Sequence, residues 1–287
     1  MKKLAPLLII VACIAVVMII VAVFISASKE KGTPSETTTP SSPVHTPPVA
    51  QPTEESTSDG VDQTTVVFRD YTLDDIQKML DEIGIVSVVD NSGYERSKFG
   101  SGWLDTDNNS CDTRNDILQR DLTDFVLDSD GCTVLSGILH DKYTGTDINF
   151  KRGRSTSSAV QIDHLVPLSR SWALGSSGWD EQQRKRFAND PDNLFAVEGG
   201  ANNNKSDQGI DVWTPAIYSC ISHNKENGLS NSDAKYYCLG VDVYNGSYYD
   251  DFDCAYSAQY VFVTHKYNLA MTDSDRTRIN SALSTCS

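Results

Sequence analysis

Ser158-Ala-Val-Gln-Ile-Asp-His-Leu-Val-Pro-Leu-Ser169 opens the stretch that decides the fold; a polar segment follows, then Asp192-Asn-Leu-Phe-Ala-Val197, then Asn202-Asn-Asn-Lys-Ser-Asp207. Apolar and polar residues alternate from Ala159 to Leu165, which predicts a strand ending near Pro167. Leu194 to Val197 reads as a second short strand, and the polar segment between the two is helix-like. After Gly200 no β-branched residue follows for several positions, which suits a helix carrying Asn202 and Lys205 on one side. The order is strand, strand, helix.

The residues on these elements are of the types that phosphodiester hydrolysis needs. An attacking water requires a base, and the charge growing on phosphorus and on the leaving oxygen requires a cation. Histidine supplies a base near neutral pH, while a carboxylate and an amide oxygen are hard ligands of the kind Mg²⁺ takes. Asp163, His164 and Asn202 are those three types. Neighbours on a strand point to opposite faces, so Asp163 and His164 share a site only if the strand twists or ends between them. Each residue alone has a plainer use: an Asp-His pair as a surface hydrogen bond, Asn193 as a turn start, Asn202 to Asn204 as a helix cap. Their order together is what argues for a site.

At these positions the chain resembles the HNH nucleases with a ββα-metal fold, most closely the secreted HNH endonucleases of Gram-positive bacteria and the C-terminal domain of GmrSD modification-dependent restriction enzymes. The resemblance is carried by Asp163-His164, Asn193 and Asn202-Asn203-Asn204-Lys205. It extends through Cys111-Asp112-Thr113-Arg114-Asn115-Asp116-Ile117-Leu118, Cys132 to Gly137, Tyr143-Thr144-Gly145 and Phe187 to Asp190, over roughly residues 70 to 287. It implies His164 as general base, Asp163 and Asn202 as ligands of one divalent metal, Mg²⁺ first and Mn²⁺ as the other candidate, and Asn193 as the residue that fixes the loop and the histidine. It implies a nucleic-acid substrate, DNA ahead of RNA, and no organic cofactor. Ser206 stands where the family more commonly has Gly, with little consequence expected.

Working outward, Lys2 and Lys3 precede an uncharged run from Leu4 to Ser28, long enough to span a bilayer. Residues 1–28 are therefore expected to be a signal anchor with the rest exported, or else a cleaved signal peptide. Between Thr33 and Thr65, 20 of 33 residues are Pro, Ser or Thr, which cannot bury a core. Residues 29–65 are expected to be an extended linker, reaching roughly 100 Å at full stretch. Residues 66–287 are then an α+β nuclease domain, with its core at about 158–209 and an insertion at about 216–251, on the outer face of the plasma membrane or secreted.

Within that domain Leu73, Ile76, Leu80 and Ile83 recur at helical spacing after Thr72. Tyr94 to Trp103 reads as a Gly- and aromatic-rich loop, Asp112 to Leu122 as a helix, and Thr133 to Leu139 and Asp147 to Phe150 as strands. Ala255 to Tyr267 reads as a helix, and Thr272 with Asp275 as a capping box opening another over Asp273 to Leu283. Asp105, Asp107, Asn109 and Asp112 lack the later bidentate Glu of an EF-hand and are not expected to hold calcium. His265 reads as a partly exposed helix position.

Of seven cysteines, Cys13 lies in the apolar run, and the other six form an even set in a part expected to be exported, which favours three disulfides. The resemblance selects Cys111 with Cys132 and Cys254 with Cys286, leaving Cys220 and Cys238 to pair within the insertion. No Cys-x-x-Cys is present, which argues against a zinc knuckle.

A net charge of -15 opposes binding to nucleic acid, but the charge is unevenly spread. From residue 66 to 287 there are 20 basic and 33 acidic residues, whereas from 151 to 205 there are 8 basic and 6 acidic. Arg152, Arg154, Arg170 and Lys205 are the candidate phosphate contacts. Three other classes compete with the nuclease reading. A non-catalytic nucleic-acid-binding or uptake protein should have lost His164 or a ligand. An adhesive surface domain leaves the Asp-His, Asn, Asn-x-x-Lys order unexplained, and an intracellular restriction nuclease leaves the export signal and cysteines unexplained.

Overall fold

Thr72 starts the described chain's first helix as a capping box, its hydroxyl accepting from the Asp75 N–H while the Asp75 carboxylate accepts from the Thr72 N–H. The computed structural model describes residues 70–240 and 248–286; the anchor and linker expected for residues 1–65 lie outside them. Helix α1 (Leu73–Glu82) buries Ile76 and Leu80. A single 3-10 turn (Arg96–Phe99) interrupts the following loop and sinks Phe99 into the core. Helix α2 (Thr113–Asp121) is capped by the Asp112 carboxylate, which accepts from the Asn115 N–H.

Leu122 was expected to end that helix; instead it begins strand β1 (Leu122–Leu127), pairing with Leu139 of β2 (Val134–His140), which pairs in turn with β3 (Asp147–Lys151). Strand β1 escapes the sequence reading because it buries Leu122 alone and its register slips, so no apolar alternation marks it.

Strand β4 (Val160–His164) pairs antiparallel with β5 (Leu194–Glu198), setting Asp163 opposite Phe195 and His164 opposite Leu194. Between them lie α3 (Leu168–Ala173) and α4 (Glu181–Ala188), and after β5 comes α5 (Gly199–Lys205). The order strand, strand, helix is therefore present. At Gly199, where β5 passes into α5, any Cβ would collide with the Ser158 carbonyl, so the close approach requires glycine. Ser206 just past α5 has φ 52° and ψ -123°, a conformation suited to glycine. The Ser-for-Gly departure thus carries a backbone cost that the sequence reading did not expect.

The insertion forms two helices, α6 (Pro215–Glu226) and α7 (Asn231–Gly240), joined by Cys220–Cys238. Helix α8 (Tyr248–Lys266) starts earlier than expected, and α9 (Asp273–Leu283) follows the Thr272 capping box. Cys254–Cys286 ties α8 to the end of α9, and Cys111–Cys132 ties the start of α2 to the β1–β2 turn. Two of the pairings are those the resemblance selected, and the third is the pair it left over within the insertion. The fold is mixed α+β; among the described residues no helix is long and apolar enough to cross a membrane.

Two apolar clusters sandwich the β4–β5 pair. Val160, Ile162, Leu194 and Ala196 face Ile117, Leu118 and Phe150, whereas Leu165 and Val197 face Tyr143, Trp213, Tyr256 and the α8–α9 helices. Burial on both faces fixes the register, since a one-residue slip would turn every side chain over.

Candidate active site

Asn193 is fully buried, and its side chain pairs with Val166 in both directions: Oδ1 accepts from the Val166 N–H at 2.8 Å and Nδ2 donates to the Val166 carbonyl at 3.2 Å. The Leu165 N–H also donates to the Asn193 carbonyl. These bonds fix the path of the chain as it leaves β4 just after His164. Among the described residues strand β4 has one partner strand, which leaves its other edge without a ladder. Along that edge lies a cavity of about 580 Å³ lined by Asp163, His164, Asn202, Asp207 and Arg96. Asp163 and His164 leave β4 on opposite faces and both reach this cavity because it borders the strand's edge and its end.

Asp163 is held from behind. The Tyr143 hydroxyl donates to its Oδ2 at 2.7 Å, and the Lys205 ammonium donates to its Oδ1 at 3.0 Å and to the His164 carbonyl at 2.8 Å. Lys205 is only 1% exposed, so its charge is compensated inside the protein. Tyr143 lies against Trp213 and Tyr256, and burial, reinforced by the Asp163 charge, raises its hydroxyl pKa well above the ordinary range. It remains a donor at any working pH. Lys205 also lies 2.9 Å from Oδ2, so both lone-pair sites of Oδ2 are met, while Oδ1 keeps one for a further ligand.

The His164 ring stacks on Trp103 with centroids 5.7 Å apart and planes 12° from parallel. Its Nε2 lies 2.9 Å from the Ala188 carbonyl, which only accepts, so Nε2 carries the proton and Nδ1 is the basic nitrogen of the neutral ring. Burial lowers its pKa to about 3; the Ala188 carbonyl opposes the fall, and the Arg96 and Lys205 charges add to it. Asn202 donates Nδ2 to Gln161 Oε1, which leaves its own carbonyl oxygen as an acceptor beside the cavity.

Among the described residues no three His, Cys, Asp or Glu side chains gather as a metal cluster. The cavity's donors are hard oxygens: the carboxylates of Asp163 and Asp207 and the amides of Asn202 and Asn203. Such a sparse oxygen set fits an ion like Mg²⁺, which keeps several waters and takes further ligands from phosphate, and does not fit zinc.

The four cations expected to meet phosphate do not gather here. Lys205 is internal, as above. Arg170 pairs with Asp275 at 2.8 Å and is only 13% exposed. Arg152 donates to the Val134 carbonyl and the Asn115 side chain, bracing α2 against β2. Arg154 is exposed and lies outside the cavity lining. The first three share one feature: each finds an internal acceptor that sequence spacing does not reveal. In their place the cavity has Arg96, which the sequence reading passed over inside its aromatic loop. Tyr94, Phe99 and Trp103 around that arginine were the available signal.

Residues 112–238 match the model of the C-terminal domain of GmrSD restriction endonucleases. A protein from Arthroderma benhamiae, named only as an uncharacterized secreted protein, is 30% identical over 212 residues, 73% of this chain and 84% of that protein. No solved structure matches the chain.

Proposed function

The chain belongs to the family of the GmrSD restriction endonuclease C-terminal domain, and from that premise we propose that it is a metal-dependent endonuclease acting outside the cell on the phosphodiester bonds of DNA. One observation carries the reading: the Nε2–Ala188 bond leaves Nδ1 unprotonated on a ring that lines the same cavity as Asp163 and Asn202. That nitrogen takes the proton from water as the water attacks phosphorus. Ala188 and Trp103 hold the ring's tautomer and plane, and Asn193 fixes the chain after it. A divalent ion held by Asp163 and Asn202, Mg²⁺ or Mn²⁺, would supply charge against the phosphate and the departing 3′ oxygen. Lys205 and Tyr143 hold the Asp163 carboxylate in one orientation. A phosphodiester brought beside His164 adds negative charge, which moves the imidazole pKa back up and strengthens the base as substrate arrives.

Export is supported by the three disulfides, by the apolar N-terminal run, which would anchor the domain to the outer face of the membrane, and by the secreted relative. The test is incubation of the purified, oxidised full chain with plasmid and with RNA in Mg²⁺, Mn²⁺ or EDTA. Cleavage that needs metal and leaves 5′-phosphate and 3′-hydroxyl ends is expected. His164→Ala should lose about 10² to 10⁴ in rate and still bind substrate. Full cleavage in EDTA removes the metal from the reading, and full activity of His164→Ala removes the base.

A further inference from the structure

We propose that Arg96 is the cation that grips the reacting phosphate. This deepens the nuclease reading and rests on it. Among the described residues Arg96 is the sole cationic side chain lining the 580 Å³ cavity, and it also lines a second cavity of about 190 Å³ on the Trp103 side, with Phe99, Gly100, Gly102 and Ala188. Both cavities reach His164. An anion within reach of the His164 ring from either side therefore meets the same guanidinium. The other basic groups near the site are already occupied: Lys205 by Asp163 and Arg170 by Asp275. Arg96, by contrast, is exposed and makes no ion pair among the described residues; its side chain hydrogen-bonds the neutral Tyr94 hydroxyl, which leaves its charge uncompensated.

Its backbone is also fixed before substrate arrives. Arg96 opens the 3-10 turn whose last residue, Phe99, is buried against Phe187 and Trp172. Lys98 donates to the Gly93 carbonyl at 2.6 Å, and Arg184 donates to the Lys98 carbonyl at 3.1 Å. An arginine on a pinned turn loses little backbone freedom when it binds, and its planar fork matches two phosphate oxygens. Placed beside the base, it opposes the charge that grows on the phosphate during attack.

The experiment compares the full chain with Arg96→Ala and Arg96→Lys in plasmid cleavage, with Lys78→Ala, an exposed cation of α1 that lines neither cavity, as control. Binding of a short duplex oligonucleotide across a salt series is measured in a His164→Ala background. Arg96→Ala should lower kcat by about 10² to 10³, with a smaller change in KM, and should reduce the salt slope of binding by about one. Arg96→Lys should recover part of the rate, because it restores the charge without the fork. Wild-type rate and salt slope in Arg96→Ala overturn the assignment and leave the nuclease reading intact. A wild-type chain that cleaves neither DNA nor RNA sinks the nuclease reading; Arg96 then stands if its removal weakens oligonucleotide binding and falls if it does not.

Discussion

The wall of the cavity and its rim are built on opposite principles. The wall residues Asp163 and His164, with Asn193 and Lys205 packed behind them, are buried throughout, and each of these four side chains has an internal partner. The rim, made by Arg96, Asp207 and Ser206, is exposed and lightly bonded. Rigid burial sets geometry, because an unpaired buried charge is too costly to tolerate error. Exposure leaves charge available to a ligand. A site of the proposed kind, which must hold a base still and yet admit a polyanion, needs both.

The comparison breaks most easily at Lys205. Lys205→Met leaves the Asp163 carboxylate buried with Tyr143 alone, and a loss of about 3 to 5 kcal/mol in unfolding free energy is expected by denaturant titration. Asp163→Asn added to it should restore part of that loss without restoring cleavage. If Lys205→Met is as stable as the wild type, the wall is not held by this pair.

Asn193→Ala orphans both polar groups of Val166, and a cost of about 1 to 3 kcal/mol is expected, with a fall in cleavage rate at unchanged metal requirement. A changed metal requirement would place Asn193 among the ligands instead.

Acid tests the wall from a different side. His164 has a pKa of about 3 in the fold and an ordinary one near 6.5 when unfolded, so between those values the unfolded chain binds more protons. Its contribution to stability is complete above about pH 6.5 and declines by up to roughly 1.4 kcal/mol per pH unit as the pH falls toward 3. His164→Gln should flatten that part of the stability curve; an unchanged curve would mean that other groups set the acid limit.

The smallest expected effect is a gain, on the rim. Ser206→Gly relieves the positive φ after α5 and should stabilise the fold by roughly 1 kcal/mol or less, because glycine's greater freedom when unfolded offsets part of the relief. A loss of stability would show that the Ser206 side chain contributes more than its backbone costs.

The sequence by itself determined the strand, strand, helix order, the helices that follow Thr72 and Thr272 and, through the family resemblance, the cysteine pairing, because these depend on local periodicity, capping chemistry or a recognisable order of residues. It also singled out Asp163, His164, Asn193 and Asn202, whose short-range order survives folding unchanged. Only the tertiary structure decided what the basic residues do. Arg152 finds Asn115, Arg170 finds Asp275 and Lys205 finds Asp163, across separations of 37, 105 and 42 residues. Arg96 shares its cavities with His164 from a loop whose neighbours in the chain give it a neutral partner, Tyr94, and no counter-charge among the described residues. Strand β1 was hidden for the same cause, its pairing being a property of β2 and not of its own pattern. Short-range order is written in residue spacing, whereas the fate of a charge depends on which distant acceptor the packed core places beside it.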